Sequence, residues 1–178
     1  MKKFIYILCT FLILSVNAFA AGPWSNPWGG GGISSTYGSI YVADGSTAQS
    51  IPTGATYTKL TGFTTNGLSS NATADAANDK ITLTEPGVYM ATISTSSSAG
   101  TSGVEFKCAG FLNGVEQGQI HFERKFPIND VGAAPMSGLI DVTTAPWDFD
   151  VRCKHDNGAS VDYTLHYSNM TLTYQGET

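Results

Sequence analysis

Basic residues are scarce in this sequence: nine Lys and Arg stand against fourteen Asp and Glu in 178 residues. Two of the nine, Lys2 and Lys3, sit ahead of an N-terminal apolar run, and the rest supply no basic patch. That excludes the electrostatic footprint of a nucleic-acid or anionic-lipid binder. Histidine is equally sparse, and His121, His155 and His166 share no metal-ligand spacing. Only His155 has an acid beside it, and Lys154-His155-Asp156-Asn157-Gly158 has the composition of a solvated turn. A catalytic histidine also needs a positioned nucleophile, and none accompanies it. There is no Gly-x-Ser-x-Gly elbow, no His-Glu-x-x-His and no phosphate loop. The chain is therefore expected to be non-enzymatic, with no catalytic residues, no metal and no cofactor. Convincing helical periodicity is missing as well, which leaves an all-β chain.

The first residues have the pattern of a secretory signal. Lys2-Lys3 precede apolar residues from Phe4 to Val16, and Ala18-Phe19-Ala20 places small residues where a signal peptidase cuts, after Ala20. The run falls short of the ~20 apolar residues that cross a bilayer, so stable membrane insertion is not expected. Cys9 lies inside the run and is discarded with it. Removal of residues 1–20 leaves seven basic residues against fourteen acidic ones, a net charge of −7. A secreted, periplasmic or cell-surface location is expected. Residues 21–36 then hold Pro23, Trp24, Pro27, Trp28 and four glycines from Gly29, a composition that forms no packed element and suits a flexible tether. Its two tryptophans either bind a partner or fold back onto apolar surface.

From Tyr37 to the C-terminus the pattern is that of one strand-built domain. Ile40 and Val42 open a first strand. Tyr57, Leu60 and Phe63 follow, and a polar stretch from Thr64 to Asp79 is expected to be an exposed loop. Ile81 and Leu83, then Tyr89, Ala91 and Ile93, recur at every second position, the spacing of strands. Pro86-Gly87 turns the chain between them. A Ser/Gly-rich loop from Ser94 to Gly103 leads to a strand with Val104, Phe106 and Cys108 on one face. It ends at Asn113-Gly114, a strong hairpin signal. Ile120 and Phe122 begin the return strand. Phe126 to Pro135 is expected to be a loop, and Ser137 to Val142 another strand. Trp147, Phe149, Val151 and Cys153 alternate with Asp148, Asp150, Arg152 and Lys154. In the last stretch Val161, Tyr163, Leu165 and Tyr167 give way to Met170, Leu172 and Tyr174, a change of parity that marks a bulge or turn. Asn71-Ala72-Thr73 and Asn169-Met170-Thr171 fit the glycan acceptor pattern.

A run ending in Glu85-Pro86-Gly87-Val88-Tyr89, then a strand, a small-residue loop, a second strand and Asn113-Gly114, resembles the jelly-roll head of the C1q and tumour-necrosis-factor superfamily. It is most similar to the short bacterial and bacteriophage versions. Ile81, Pro86, Gly87, Tyr89, Val104, Phe106, Asn113 and Gly114 carry the likeness, and Tyr167 to Leu172 resembles the last strand. The resemblance covers roughly Tyr37 to Tyr174 and implies an antiparallel β-sandwich of jelly-roll type spanning residues 37–178. It also implies that the strands bearing Cys108 and Cys153 are neighbours in one sheet, within reach of a disulfide; two buried thiols are the alternative. It further implies a homotrimer, with Tyr163, Tyr167 and Tyr174 on strands that face the three-fold axis, where they either line the interface or pack within one subunit.

The expected function is that of a secreted, non-enzymatic binding or structural head, recognising a surface glycan or protein through the three loops. One alternative is a bacteriophage virion component, a head or tail fibre tip. Another is a carbohydrate-binding module or a polysaccharide-active enzyme with Glu123, Asp148 and Asp150 as carboxylates. Asp148 and Asp150 are otherwise the polar face of an edge strand.

Overall fold

The computed structural model describes residues 35–177 apart from Asp44, Ser46, Thr47 and Asn129. The expected signal peptide and the tether up to residue 34, with Trp24 and Trp28, lie outside the described residues. Twelve strands follow in order: β1 (Tyr37–Val42), β2 (Ala48–Ile51), β3 (Gly54–Lys59), β4 (Thr65–Ser70), β5 (Ala72–Asp75), β6 (Lys80–Leu83), β7 (Gly87–Ala99), β8 (Val104–Leu112), β9 (Val115–Phe126), β10 (Gly132–Val142), β11 (Trp147–His155) and β12 (Val161–Gly176). They form two six-stranded sheets. Sheet one runs β10-β7-β12-β1-β4 with β2 also on β12, and sheet two runs β5-β6-β11-β8-β9 with β3 also on β11. Named strands pair antiparallel throughout.

The core forms where the apolar half of each alternation meets its counterpart from the other sheet. Ile40, Tyr89, Ala91, Ile93, Met170 and Leu172 from sheet one face Ile81, Leu83, Phe106, Phe149, Val151 and Phe126 from sheet two, all essentially excluded from solvent. Each large side chain of this kind stabilises the fold by roughly 1.5–3 kcal/mol. One end of the core is an aromatic cluster in which Phe106 packs against Phe126, Tyr163 and His155 at centroid distances of 6.0, 4.8 and 5.2 Å. The other end holds the Tyr89–Tyr174 edge contact at 5.4 Å.

Several connections obey their local chemistry. Asn113 and Gly114 have φ of 48° and 82°, the left-handed pair that a two-residue hairpin between β8 and β9 requires. Gly87 has φ 137°, and a Cβ there would stand 2.4 Å from the Tyr174 ring, so only glycine lets β7 begin beneath that ring. Between β2 and β3, Pro52-Thr53 carries the chain from sheet one to sheet two.

Three expected loops differ from the structure. Thr64–Asp79 is mostly β4, β5 and a short 3₁₀ turn: Asn66 Oδ1 accepts the Ala76 N–H, and the buried Asp79 carboxylate accepts those of Gly62 and Phe63. Apolar content is low there because these strands lie at the sheet edges and are held through backbone and amide bonds. β7 continues to Ala99 instead of stopping at Ile93, since Thr95 and Ser97 point inward and are satisfied by Ala134 O and Tyr163 Oη. β10 likewise begins at Gly132, inside the stretch expected as loop to Pro135. The supposed tether also ends early, because Thr36 is buried and bonded to Glu85 at 2.8 Å. Finally, β12 is one strand, its parity change being a bulge between Leu165 and Tyr167.

Candidate functional site

Charge is divided between the two sheets. All seven basic residues after Lys3 (Lys59, Lys80, Lys107, Arg124, Lys125, Arg152 and Lys154) lie on strands of sheet two. The strands of sheet one carry no Lys or Arg, and their acids are Asp141 and Asp162. Alternation along β7 therefore presents Thr92, Ser94, Ser96 and Ser98 outward, beside Asn169, Thr171 and Thr173 of β12, with Tyr41 on β1. Tyr41, Ser94, Ser96, Ala133, Tyr167 and Asn169 are among the residues bordering an open hollow of about 350 Å³.

The β12 bulge decides which tyrosine faces outward here. It is held by Gly45 N–H donating to His166 O at 2.7 Å and by Ser98 Oγ against His166 Nε2 at 2.9 Å. The extra residue leaves Tyr167 59% exposed on the sheet-one face. Tyr163, expected among interface candidates, is instead a core residue: it is 1% exposed and its hydroxyl donates to Ser97 Oγ at 2.7 Å. Burial pushes its phenol up to about 12. Tyr174 is half-buried against Tyr89. Of the three tyrosines Tyr167 is the most exposed, Tyr174 is partly so, and Tyr163 is enclosed. The sequence signal that could have separated them is the parity shift itself, read as a bulge at His166.

The outer face of sheet two is a lattice of ion pairs and rings. Asp148 accepts from Lys80 Nζ at 2.8 Å and from Thr82 Oγ1 at 2.6 Å, and Asp150 takes Arg152 Nε at 2.7 Å. Arg152 lies over the Phe111 ring at 4.5 Å and Lys154 over Tyr57 at 4.1 Å. The Tyr57 hydroxyl donates to Glu116, and its phenol is pushed up to about 12 by burial and then by that carboxylate. Glu123 is bound to Lys107 at 2.9 Å. The structure thus separates the carboxylates of the hydrolase alternative: Glu123 borders a hollow that contains neither Asp148 nor Asp150. β11 is also a central strand, flanked by β8, β6 and β3, so Asp148 and Asp150 do not guard an edge. His155, expected in a solvated turn, is buried at the end of β11. Its Nδ1 accepts the Asn157 N–H, and its Nε2 faces Ile51 O at 2.9 Å.

Cys108 and Cys153 stand opposite each other in the β8–β11 register, wholly buried, with their sulfurs at bonding distance. Among the described residues no group of three or more His, Cys, Asp or Glu is placed to hold a metal, and no helix is long and apolar enough to cross a membrane.

Two antiparallel sheets with this strand order, packed over one core, define a jelly-roll sandwich of the C1q/TNF-like kind. The Eiger TNF of S. frugiperda superposes with TM-score 0.58 at 9% identity, over 81% of this chain and 94% of that one. The globular domain of zebrafish complement 1qA gives 0.50 at 16% identity, over 80% and 99%. PRD1 vertex protein P5 gives 0.44 at 19% identity, over 81% and 99%. At identities this low the first two likenesses establish the fold alone. No protein-family profile and no curated protein matches the sequence.

Proposed function

We propose that this chain is a secreted, non-enzymatic binding or structural head that assembles as a homotrimer through the outer face of sheet one. The observation that carries this reading is the division of charge. Copies bearing −7 each repel one another, and burying unpaired charge in an interface costs several kcal/mol per ion. The sheet-one strands carry two acids, Asp141 and Asp162, and no Lys or Arg, so far fewer charges would be desolvated there than on sheet two, and Tyr167 offers an aromatic anchor. The number three is what the resemblance to the C1q/TNF superfamily implies. A three-fold ring joins two different patches; within the sheet-one face these are the β12 strip with Tyr167 and the β10 edge strip with the half-exposed Leu139. Sheet two then remains outward, where an extracellular glycan or protein can reach it.

Light scattering on a sizing column tests this with the processed chain, residues 21–178. The expected mass is three protomers. Tyr167→Glu, which adds a third carboxylate to a face with no Lys or Arg, should yield monomers with an unchanged circular dichroism spectrum. A parent protein that is monomeric at tens of micromolar would sink the assembly.

A further inference from the structure

Across the outer face of sheet two, one row of the register runs Glu123 on β9, Lys107 on β8 and Lys154 on β11. Its charges read minus, plus, plus. Like charges directly opposite each other on neighbouring strands are unfavourable. Lys107 is compensated, with Glu123 at 2.9 Å and Glu105 at 3.9 Å. Lys154 has no carboxylate within 4.0 Å among the described residues; its ammonium rests only on the Tyr57 ring. At this level β3 parts from β11, because the pairing skips between Cys153 and His155. The gap opens a hollow of about 370 Å³ bordered by Gly54, Ala55, Lys107, Lys154, His155 and Asp156. Lys107 and Lys154 also border a second hollow, of about 310 Å³, with Tyr57, Glu116, His121 and Glu123.

We infer that these two hollows, which share Lys107 and Lys154 in their walls, bind the carboxylate of an acidic sugar, a uronic or sialic acid unit. The carboxylate completes the row beside Lys154 as the missing negative group. The sugar hydroxyls donate to Glu116 and Glu123, whose carboxylates retain free lone pairs after accepting from Tyr57 and Lys107. The same two acids disfavour a polyacidic peptide, which would bring many charges and few hydroxyl donors. Each hollow lies at the low end of the ~300–1,000 Å³ typical of small-molecule sites, a size that suits a single sugar unit. The proposal rests on the reading of the chain as a binding head and names its ligand.

The purified processed chain should be titrated with glucuronate, galacturonate and N-acetylneuraminate, with glucose and galactose as neutral controls and an oligoglutamate peptide as the acidic one. Ligand-observed NMR or calorimetry reads the affinity. At least one sugar acid should bind, the neutral sugars should not, and binding should weaken as salt is raised. Lys154→Ala should cost about tenfold or more in affinity, the loss of one charge-assisted contact, and Lys154→Arg should retain most of it. Equal binding of neutral sugars, preference for the peptide, an unaffected Lys154→Ala variant, or no binding of any sugar acid would each overturn the inference. Light scattering on the same samples keeps the two readings apart. A trimer that binds no sugar acid removes only this site, and a monomer that binds one removes only the assembly.

Discussion

Replacing Cys108 and Cys153 together by alanine tests the link between sheet two and global stability. The two residues lie 45 apart in sequence. Closing a loop of that length in the unfolded chain removes entropy worth about 4 kcal/mol at 25 °C. Losing two sulfurs from a fully buried site adds roughly 1 kcal/mol or more. The expected loss is about 5 kcal/mol, comparable with the whole stability of a weak domain. For a chain of this size it corresponds to a fall in Tm of roughly 10–20 °C. Urea denaturation of the parent and the double variant measures it. The m-value should also rise in the variant, because an uncrosslinked unfolded chain exposes more surface. The double alanine form is preferred to a single substitution, which would leave a reactive thiol and invite mispairing. A variant within about 1 kcal/mol of the parent would refute the loop-closure reasoning. So would a parent whose cysteines alkylate in denaturant without reductant, since that reports free thiols.

Three further outcomes follow from particular contacts. Gly87→Ala should cost about 2–3 kcal/mol, because its Cβ meets the Tyr174 ring and Gly176 O at a positive φ; Gly114→Ala, with open space around it, should cost only about 1 kcal/mol, and chemical denaturation ranks the two. Tyr163→Phe should lose about 1 kcal/mol by stripping Ser97 of its donor, yet leave the oligomeric mass unchanged, since the ring is in the core. At Asp148, burial raises the carboxyl, but hydrogen bonds from Lys80 and Thr82 and the Lys80 charge outweigh it and hold it below the ordinary aspartate value. A depressed folded-state value means a contribution present above pH ~4 and lost as pH falls further. NMR titration of Asp148 in Lys80→Met should move its midpoint upward, and an unmoved midpoint would show that Lys80 is not the cause.

Much of the sandwich was legible because inward and outward residues alternate wherever the inward ones are apolar. The apolar faces of β6, β8 and β11 and the Asn113-Gly114 hairpin are of this kind. Legibility failed where the inward residues are small and polar. Thr95 and Ser97 look like loop residues, and only partners 39 and 66 positions away, Ala134 and Tyr163, make their burial tolerable. β4 and β5 failed for the opposite reason: they are edge strands that bury little, so no pattern was imposed on them. Of the candidate residues, Tyr163 and Tyr167 are equivalent by composition and are separated only by the His166 bulge. The Lys107–Lys154 opposition was invisible, because register between strands distant in sequence is a property of the fold.

That same sorting of strands into sheets shows how the work of stability is distributed. The disulfide, the ion pairs and the cation–π contacts of the described residues all fall within sheet two. Sheet one has none of them and relies on its backbone ladder, its buried face and hydroxyl contacts such as Thr95 with Ala134. Exposed ion pairs contribute little singly, but the bond across β8 and β11 does not depend on a neighbour. A sheet so equipped holds its shape in an isolated subunit. The sheet without them presents an outer surface with two acids, Asp141 and Asp162, and no Lys or Arg, so further stability there would come chiefly from apolar and hydrogen-bonding contact with something laid upon it. In an assembly through sheet one, amide exchange in β7 and β12 would therefore slow with protein concentration more than exchange in β8 and β11, because only the first pair lies beneath the surface that association covers.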